Sequence, residues 1–265
     1  MRLTKLKIDG AFPFAGKTRV KLAFASGVMV IVAATMPYAA FSSNESPKPG
    51  DIILQFPSPA SSPSGLAWDG THLWLADEGT DTIYELDPSN GSVLSSFKSP
   101  GSELRGLVWD GEHLWHSDNT TRHLCKLDRA TGAVLSAIDA PATHATTRVP
   151  ELGGLTWDGK HLWCGTVDGW SSRMNEMDPN NGSLQRFFFT KGYPRALATN
   201  GTFIWNATDN DGRRLGIVYK YNLSDGLYVS QFDTPGLYPT GLAWDGESLW
   251  CVDRETKTIY KLAAN

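Results

Sequence analysis

The chain has 265 residues, enough for one large domain or two small ones, and 41% of them are hydrophobic, enough to bury a core. Its 24 basic and 28 acidic residues give a formal charge of −4, which argues against a nucleic-acid binder that relies on a basic surface. Three Cys make neither a disulfide framework nor a zinc-ligand spacing, and 10 Trp and 26 Gly are what stand out.

The chain begins with Arg2, Lys5, Lys7, Lys17, Arg19 and Lys21 against one acid, Asp9. An apolar run follows from Leu22 to Phe41, then a polar, proline-containing stretch, Ser42 to Pro49. A basic region, an apolar region and small residues near a cut site describe a secretory signal. The run is also close to the ~20 residues that span a bilayer. Residues 1–42 are thus expected to be a signal peptide or an N-terminal membrane anchor, with 22–41 as the possible tether and 43–50 as a polar linker. Either reading places the rest of the chain outside the cytoplasm, periplasmic or secreted. Removing residues 1–42 takes away six bases and one acid and leaves a formal charge of −9. Such a surface is unsuited to anionic lipid or nucleic acid.

From residue 51 the chain repeats itself. Gly65-Leu66-Ala67-Trp68-Asp69-Gly70 leads to Leu73-Trp74, and Gly106-Leu107-Val108-Trp109-Asp110-Gly111 leads to Leu114-Trp115. Gly154 to Gly159 leads to Leu162-Trp163, a worn copy from Ala196 to Gly201 leads to Ile204-Trp205, and Gly241 to Gly246 leads to Leu249-Trp250. The offsets are 41, 48, 42 and 45 residues. Each copy reads as four short strands. Strand a is the Gly-Leu-x-Trp run, Asp-Gly is a turn, and strand b starts at Leu-Trp. Strand c is Ile83–Leu86 in the first copy and Ile259–Leu262 in the last. A second turn, such as Asp87 to Gly91, leads to strand d. Four-stranded units of this period are propeller blades. The fifth copy stops after strand c, and Gly50 to Phe56 matches Gly91 to Phe97 slot for slot. The first strand is therefore expected to complete the last blade. The fold expected over 51–265 is an all-β, five-bladed β-propeller of four-stranded blades.

A repeat separates scaffold from site, because a residue in a repeated slot is packing. Nine Trp fill the strand-a or strand-b slot and are expected in the core. His72, His113 and His161 share one turn slot on three separate blades, which speaks against a shared metal. Asp77, Asp118 and Asp253 close strand b, each with a Thr at +3, as in an Asx turn. Cys164 and Cys251 share the slot after the strand-b Trp and are expected to be buried thiols. No metal and no cofactor are expected.

Alternation of strand direction puts the a–b and c–d turns on one face and the d–a and b–c loops on the other. The second set varies. The longest are Asp139 to Gly153, with His144, Arg148 and Glu151, Thr166 to Arg173, with Asp168 and Trp170, and Thr208 to Arg214, with Asp209. All lie around blades 2 to 4, where function on a rigid scaffold collects. The residues just before strand a should ring the channel mouth: Ser64, Arg105, Gly153, Arg195 and Thr240. Arg105 and Arg195 could fork onto an anionic group or pair with nearby acids such as Asp118 or Asp209. Trp170 and Tyr193 could form an aromatic wall beside them or pack their loops. Asp209-Asn210-Asp211-Gly212 lacks the later acidic ligand of a calcium loop.

The repeats, the count of five and the exported context resemble the glutamine cyclotransferase (glutaminyl cyclase) propellers over most of residues 50–262. The resemblance implies conversion of an N-terminal Gln to pyroglutamate with loss of ammonia. It also implies a catalytic Glu after the Leu-aromatic pair of a strand b. The third copy comes nearest, with Leu162-Trp163-Cys164-Gly165-Thr166 and then Gly169-Trp170-Ser171-Ser172. The matching position there is Cys164, and the other copies have Leu75, His116, Asn206 and Cys251. None is a carboxylate, so a proton shuttle would fall to Glu151, Asp168 or His116. The leading expectation is a binding module for a small-molecule, peptide or protein ligand, held by Arg105, Arg195, Trp170, Tyr193, Arg148 and Asp209. The alternative is glutaminyl cyclisation.

Overall fold

A computed structural model describes residues 46–141, 151–168, 171–209 and 215–264, together with two short strands, β1 (Phe24–Ala25) and β2 (Val28–Met29). The chain divides into two units, 1–45 and 46–265. In the first, β1 and β2 form an antiparallel pair; the rest of the 22–41 run lies outside the described residues. Among the described residues no helix is long and apolar enough to cross a membrane.

The second unit is five four-stranded antiparallel sheets. Its first strand is β3 (Ile52–Pro57). Blade 1 is β4 (Pro63–Trp68), β5 (Leu73–Asp77), β6 (Thr82–Leu86) and β7 (Val93–Lys98). Blade 2 is β8 (Leu104–Trp109), β9 (Leu114–Asp118), β10 (His123–Leu127) and β11 (Val134–Asp139). Blade 3 is β12 (Glu151–Trp157), β13 (Leu162–Asp168), β14 (Ser171–Met177) and β15 (Leu184–Phe189). Blade 4 is β16 (Ala196–Thr199), β17 (Phe203–Thr208), β18 (Ile217–Asn222) and β19 (Tyr228–Asp233). Blade 5 is β20 (Pro239–Trp244), β21 (Leu249–Asp253) and β22 (Thr258–Leu262), and β3 supplies its outer strand. The expected five-bladed propeller, closed by the N-terminal strand, is thus what the chain forms.

Closure copies a bond that the other blades make through a turn. Asp87 N–H donates to Ser92 O at 2.9 Å, and Asp128, Asp178 and Asn222 make the same bond in their blades. In blade 5 the turn is cut, yet Ala263 N–H donates to Asp51 O at 2.9 Å. Phe56 of β3 packs on Trp250 with ring centroids 5.9 Å apart, as Phe97 packs on Trp74 at 6.2 Å.

The repeated Gly of strand a has a steric cause. A Cβ on Gly106 would lie 2.5 Å from the Leu155 amide nitrogen of the next blade, and one on Gly154 would lie 2.4 Å from that of Leu197. Gly65 and Gly241 are equally confined. Strands a of adjoining blades run backbone against backbone around the channel, and at these positions only a bare Cα fits. Ala196 holds the slot in blade 4.

The Asp of each Asp-Gly turn does two tasks. Asp110 Oδ1 accepts the amides of Glu112 and His113, and Oδ2 accepts the Trp115 indole N–H at 2.8 Å. Asp69, Asp158 and Asp245 bond Trp74, Trp163 and Trp250 in the same way. Blade 4 has Asn200 there. Its Oδ1 keeps the turn, but its other terminus is a donor, and Trp205 Nε1 finds no acceptor among the described residues. Strand-b tryptophans are the core, none more than 2% exposed. Those of strand a differ from the expectation: Trp68, Trp109, Trp157 and Trp244 are half-buried and rim the channel at the turn-bearing end, because strand a finishes there.

Candidate functional site

At the opposite end a small pocket of about 20 Å³, open to solvent, lies between the strand-a starts, lined by Ser64, Arg105, Leu152, Gly153, Tyr193, Arg195, Thr240 and Arg254. The five residues expected at the mouth are all there. Four of them lie inside strand a, not before it, where the register with strand b slips: between Pro63 and Gly65, Leu104 and Leu107, Leu152 and Leu155, and Pro239 and Gly241. Such bulges re-aim a side chain that regular pairing would direct at a neighbouring blade. Thr240 Oγ1 donates to Pro63 O at 2.8 Å, and Ser117 Oγ bridges Gly106 N–H and Gly153 O, so the rim is tied from blade to blade.

Arg195 forks onto Asp209, with Nε–Oδ1 at 2.7 Å and Nη2–Oδ2 at 2.9 Å. Its guanidinium carbon stands 4.5 Å from the Tyr193 ring centroid, a cation–π contact. Burial opposes the Arg195 charge, but the Asp209 bonds outweigh it and hold its pKa above the ordinary arginine value. Tyr193 donates its hydroxyl to Glu151 Oε2 at 3.0 Å. Burial and then the Glu151 charge push the phenol pKa up, so Tyr193 stays a donor at neutral pH. Arg105 meets Glu78 at 3.3 Å, and Arg254 bonds the same carboxylate. Burial lowers the Arg254 pKa, against the pull of Asp77. Three guanidiniums thus face three carboxylates around one opening, and each cation already has a partner. Of the two readings of Arg105 and Arg195, pairing with acids is the arrangement present, with Glu78 and Asp209 as the acids.

Arg105, Tyr193, Arg195, Asp209 and Glu151 therefore meet at the mouth. Arg148 and Trp170 lie outside the described residues, as do His144 and residues 210–214. Asp168 ends β13 and is buried. His116 is fully buried, and neither ring nitrogen has a partner among the described residues. Burial depresses its pKa to about 4, against the pull of Asp118. The other residues of its slot, Leu75, Cys164, Asn206 and Cys251, are fully buried too. Burial pushes the Cys164 thiol up to about 12, so it is no nucleophile at neutral pH. Two structural expectations hold. The cysteines are buried and free. Asp77 collects the amides of Ser61, Ser62 and Gly79 and the Thr80 hydroxyl, which ties the d–a loop to the b–c turn. His72 and His161 meet Glu85 and Glu176 of their own blades, and His113 Nδ1, 3.9 Å from Asp110, has no hydrogen-bond partner among the described residues.

Glu78 and Arg254 were not legible as site residues from the loops alone. Both occupy the fourth position after the strand-b Trp, where the five copies carry Glu78, Asn119, Val167, Asp209 and Arg254. A slot that differs in every blade, beside an otherwise constant Trp, is the signal that marks them.

No protein-family model matches the chain, and no curated protein matches it in sequence. Among solved structures it is similar to the glutaminyl cyclase of Myxococcus xanthus, with 15% identity, 80% of this chain and 94% of that chain covered, and a TM-score of 0.63. It is also similar to the Cps50 (Swd1) β-propeller domain of Myceliophteria thermophila, with 12% identity, 82% and 100% covered, and a TM-score of 0.50. Identities this low speak to fold alone. The chain is a five-bladed β-propeller with a glutaminyl cyclase-like fold.

Proposed function

We propose that the protein is an exported binding propeller that takes an anionic group of a small-molecule, peptide or protein ligand at the channel mouth, on the face of the long loops of blades 2 to 4. The observation that carries this is the fork of Arg195 onto Asp209 beside Tyr193. A carboxylate of the chain sits where a ligand carboxylate would sit, at the edge of an open cavity. Exchange of one carboxylate for another keeps the guanidinium satisfied, and Tyr193 supplies a flat apolar wall. Arg148 and Trp170, in the sequence segments that join β11 to β12 and β13 to β14, are the remaining residues of the proposed site. The basic and apolar stretches of residues 1–41 support export, cleaved or tethered.

The test uses an N-acetylated peptide with a free C-terminal carboxylate and the same peptide as its amide. Calorimetry should show binding of the acid in preference to the amide. Arg105→Ala with Arg195→Ala should weaken it at least tenfold. Equal affinity in the double variant removes this reading.

A second reading, glutaminyl cyclisation, draws on the fold likeness to the Myxococcus enzyme and on Glu151, a carboxylate at the mouth held by Tyr193. The slot in which the resembled family carries its Glu holds no carboxylate here and is closed to solvent, so Glu151 would have to move the proton. Mass and ammonia release from a peptide beginning with Gln decide it. Ammonia release that Glu151→Gln abolishes would establish a cyclase; no release from folded protein would leave binding alone.

A further inference from the structure

The turn-bearing face, away from the channel mouth, repeats one charged arrangement with a revealing variation. Strand c places a residue opposite the Asp-Gly turn: Glu85, Lys126, Glu176, Lys220 and Lys261 in blades 1 to 5. Where it is Lys126 or Lys261, the ammonium neutralises the turn aspartate, at 3.3 Å from Asp110 and 2.8 Å from Asp245. In blades 1 and 3 it is Glu, and both blades carry His in the turn. Two carboxylates and an imidazole then converge: Asp69, His72 and Glu85, and Asp158, His161 and Glu176, each set with its ligand atoms within 4.8 Å.

The blade 1 set is the better built to take a cation. His72 Nδ1 is 3.2 Å from Glu85 Oε1 and 3.8 Å from Asp69 Oδ2. A tetrahedral shell with zinc bonds of 2.0–2.2 Å has ligand atoms about 3.4 Å apart. The outer oxygens are oriented from behind. Ser95 Oγ donates to Glu85 Oε2 at 2.7 Å, and the amides of Thr71 and His72 hold Asp69 Oδ1. The His72 and Glu85 side chains are partly exposed while that of Asp69 is only 2% exposed, so a cation would enter past His72 and Glu85 and keep a water as fourth ligand. Arg129 is the competing charge, at 3.5 Å from Asp69 Oδ2 and over the Trp109 ring, and it is half exposed; the Trp74 indole N–H, at 2.9 Å from the same oxygen, leaves that oxygen a second lone pair for a cation. In blade 3 the place is taken. Arg186 bonds Glu176 Oε2 and is anchored on the carbonyls of Leu223 and Ser224, and His161 lies 2.6 Å from Glu176 Oε1.

We propose that Asp69, His72 and Glu85 form a site for one divalent transition-metal ion of the zinc class on the face opposite the channel mouth. The site lies within a single blade, so it needs no sharing between the histidines of different blades.

The experiment titrates Zn²⁺ into the full chain by calorimetry and uses the visible bands of Co²⁺ as a reporter of imidazole ligation. The expected result is one equivalent bound, a loss of at least tenfold in affinity in His72→Ala and in Glu85→Gln, and no change in His113→Ala, whose turn faces Lys126. Near-ultraviolet circular dichroism shows that each variant is folded. A second equivalent in Lys126→Glu, which gives blade 2 the same three ligand types, would support the ligand set. Folded wild-type protein that binds no zinc, or zinc bound equally by His72→Ala, would overturn the proposal and leave His72 as a hydrogen-bond donor between two carboxylates.

Discussion

Arg195 grips Asp209 through two parallel hydrogen bonds, so this cation at the channel mouth is neutralised before any ligand arrives. That pairing sets a threshold for ligand entry. Asp209→Asn keeps the shape and removes the competing charge. Affinity for the acetylated peptide carboxylate should rise three- to tenfold, read by calorimetry. The fold should be little affected, since a partly exposed pair contributes about 1 kcal/mol or less. An unchanged or lower affinity would place the ligand elsewhere.

His116 should make the propeller acid-sensitive. Its folded pKa is near 4, below the ordinary 6.5, so between these values the unfolded chain binds the proton and the folded chain resists it. Stability is complete above pH 6.5 and falls by about 3 kcal/mol as the pH drops to 4. His116→Leu puts in this slot the residue that blade 1 carries at Leu75. Urea midpoints should rise at pH 5 and lose most of their slope between pH 4 and 6.5. If wild type and variant keep the same slope, His116 is not the titrating group.

Asn200→Asp tests the one worn turn. The aspartate would offer Trp205 Nε1 the acceptor that Asp110 offers Trp115. It would also give Lys220, whose pKa burial lowers, a counter-charge like that of Lys261. Satisfying a buried donor contributes about 1 kcal/mol. The melting temperature should rise by a few degrees, and Asp110→Asn should lower it.

Gly106→Ala should be costly out of proportion to one methyl group. The added carbon meets backbone on three sides and no rotamer avoids it. A loss of about 3 kcal/mol is expected from denaturant unfolding. Ala196→Gly, where the chain already accepts a methyl, should cost about 1 kcal/mol or less.

The fold was readable because the repeat prints each blade five times. Gly-Leu-x-Trp-Asp-Gly carries a steric constraint, an indole acceptor and a turn in six residues, and Gly50 to Phe56 declared its partner by similarity. Strand c agrees within a residue in blades 1 and 5, where Ile83–Leu86 and Ile259–Leu262 are found as Thr82–Leu86 and Thr258–Leu262. Strand a was read two to three residues short in most blades, because a bulge hides where pairing resumes. The site was half readable. Arg105, Arg195 and Tyr193 stood out as residues beside a constant slot, but which acid each arginine takes depends on side chains from other blades. Glu78 serves Arg105 of blade 2 and Arg254 of blade 5 at once, a relation between three distant segments that no local pattern contains. His116 was read as a proton carrier because its chemistry permits it. Its depth is set by register against Leu107 and Cys125, which the residue type does not reveal.

The outer strand of blade 5 has a consequence for how the molecule is made. β3 is the first propeller strand to leave the ribosome, and its partner β22 is among the last. Until residue 262 exists, both edges of the incomplete ring are bare, however well blades 1 to 4 have formed. Locking is then one late event across nearly the whole sequence, a high-contact-order step that local pairing cannot replace. A chain that loses β3 is therefore left with the outer edge of β22 unpaired, exposed to capture by a second copy.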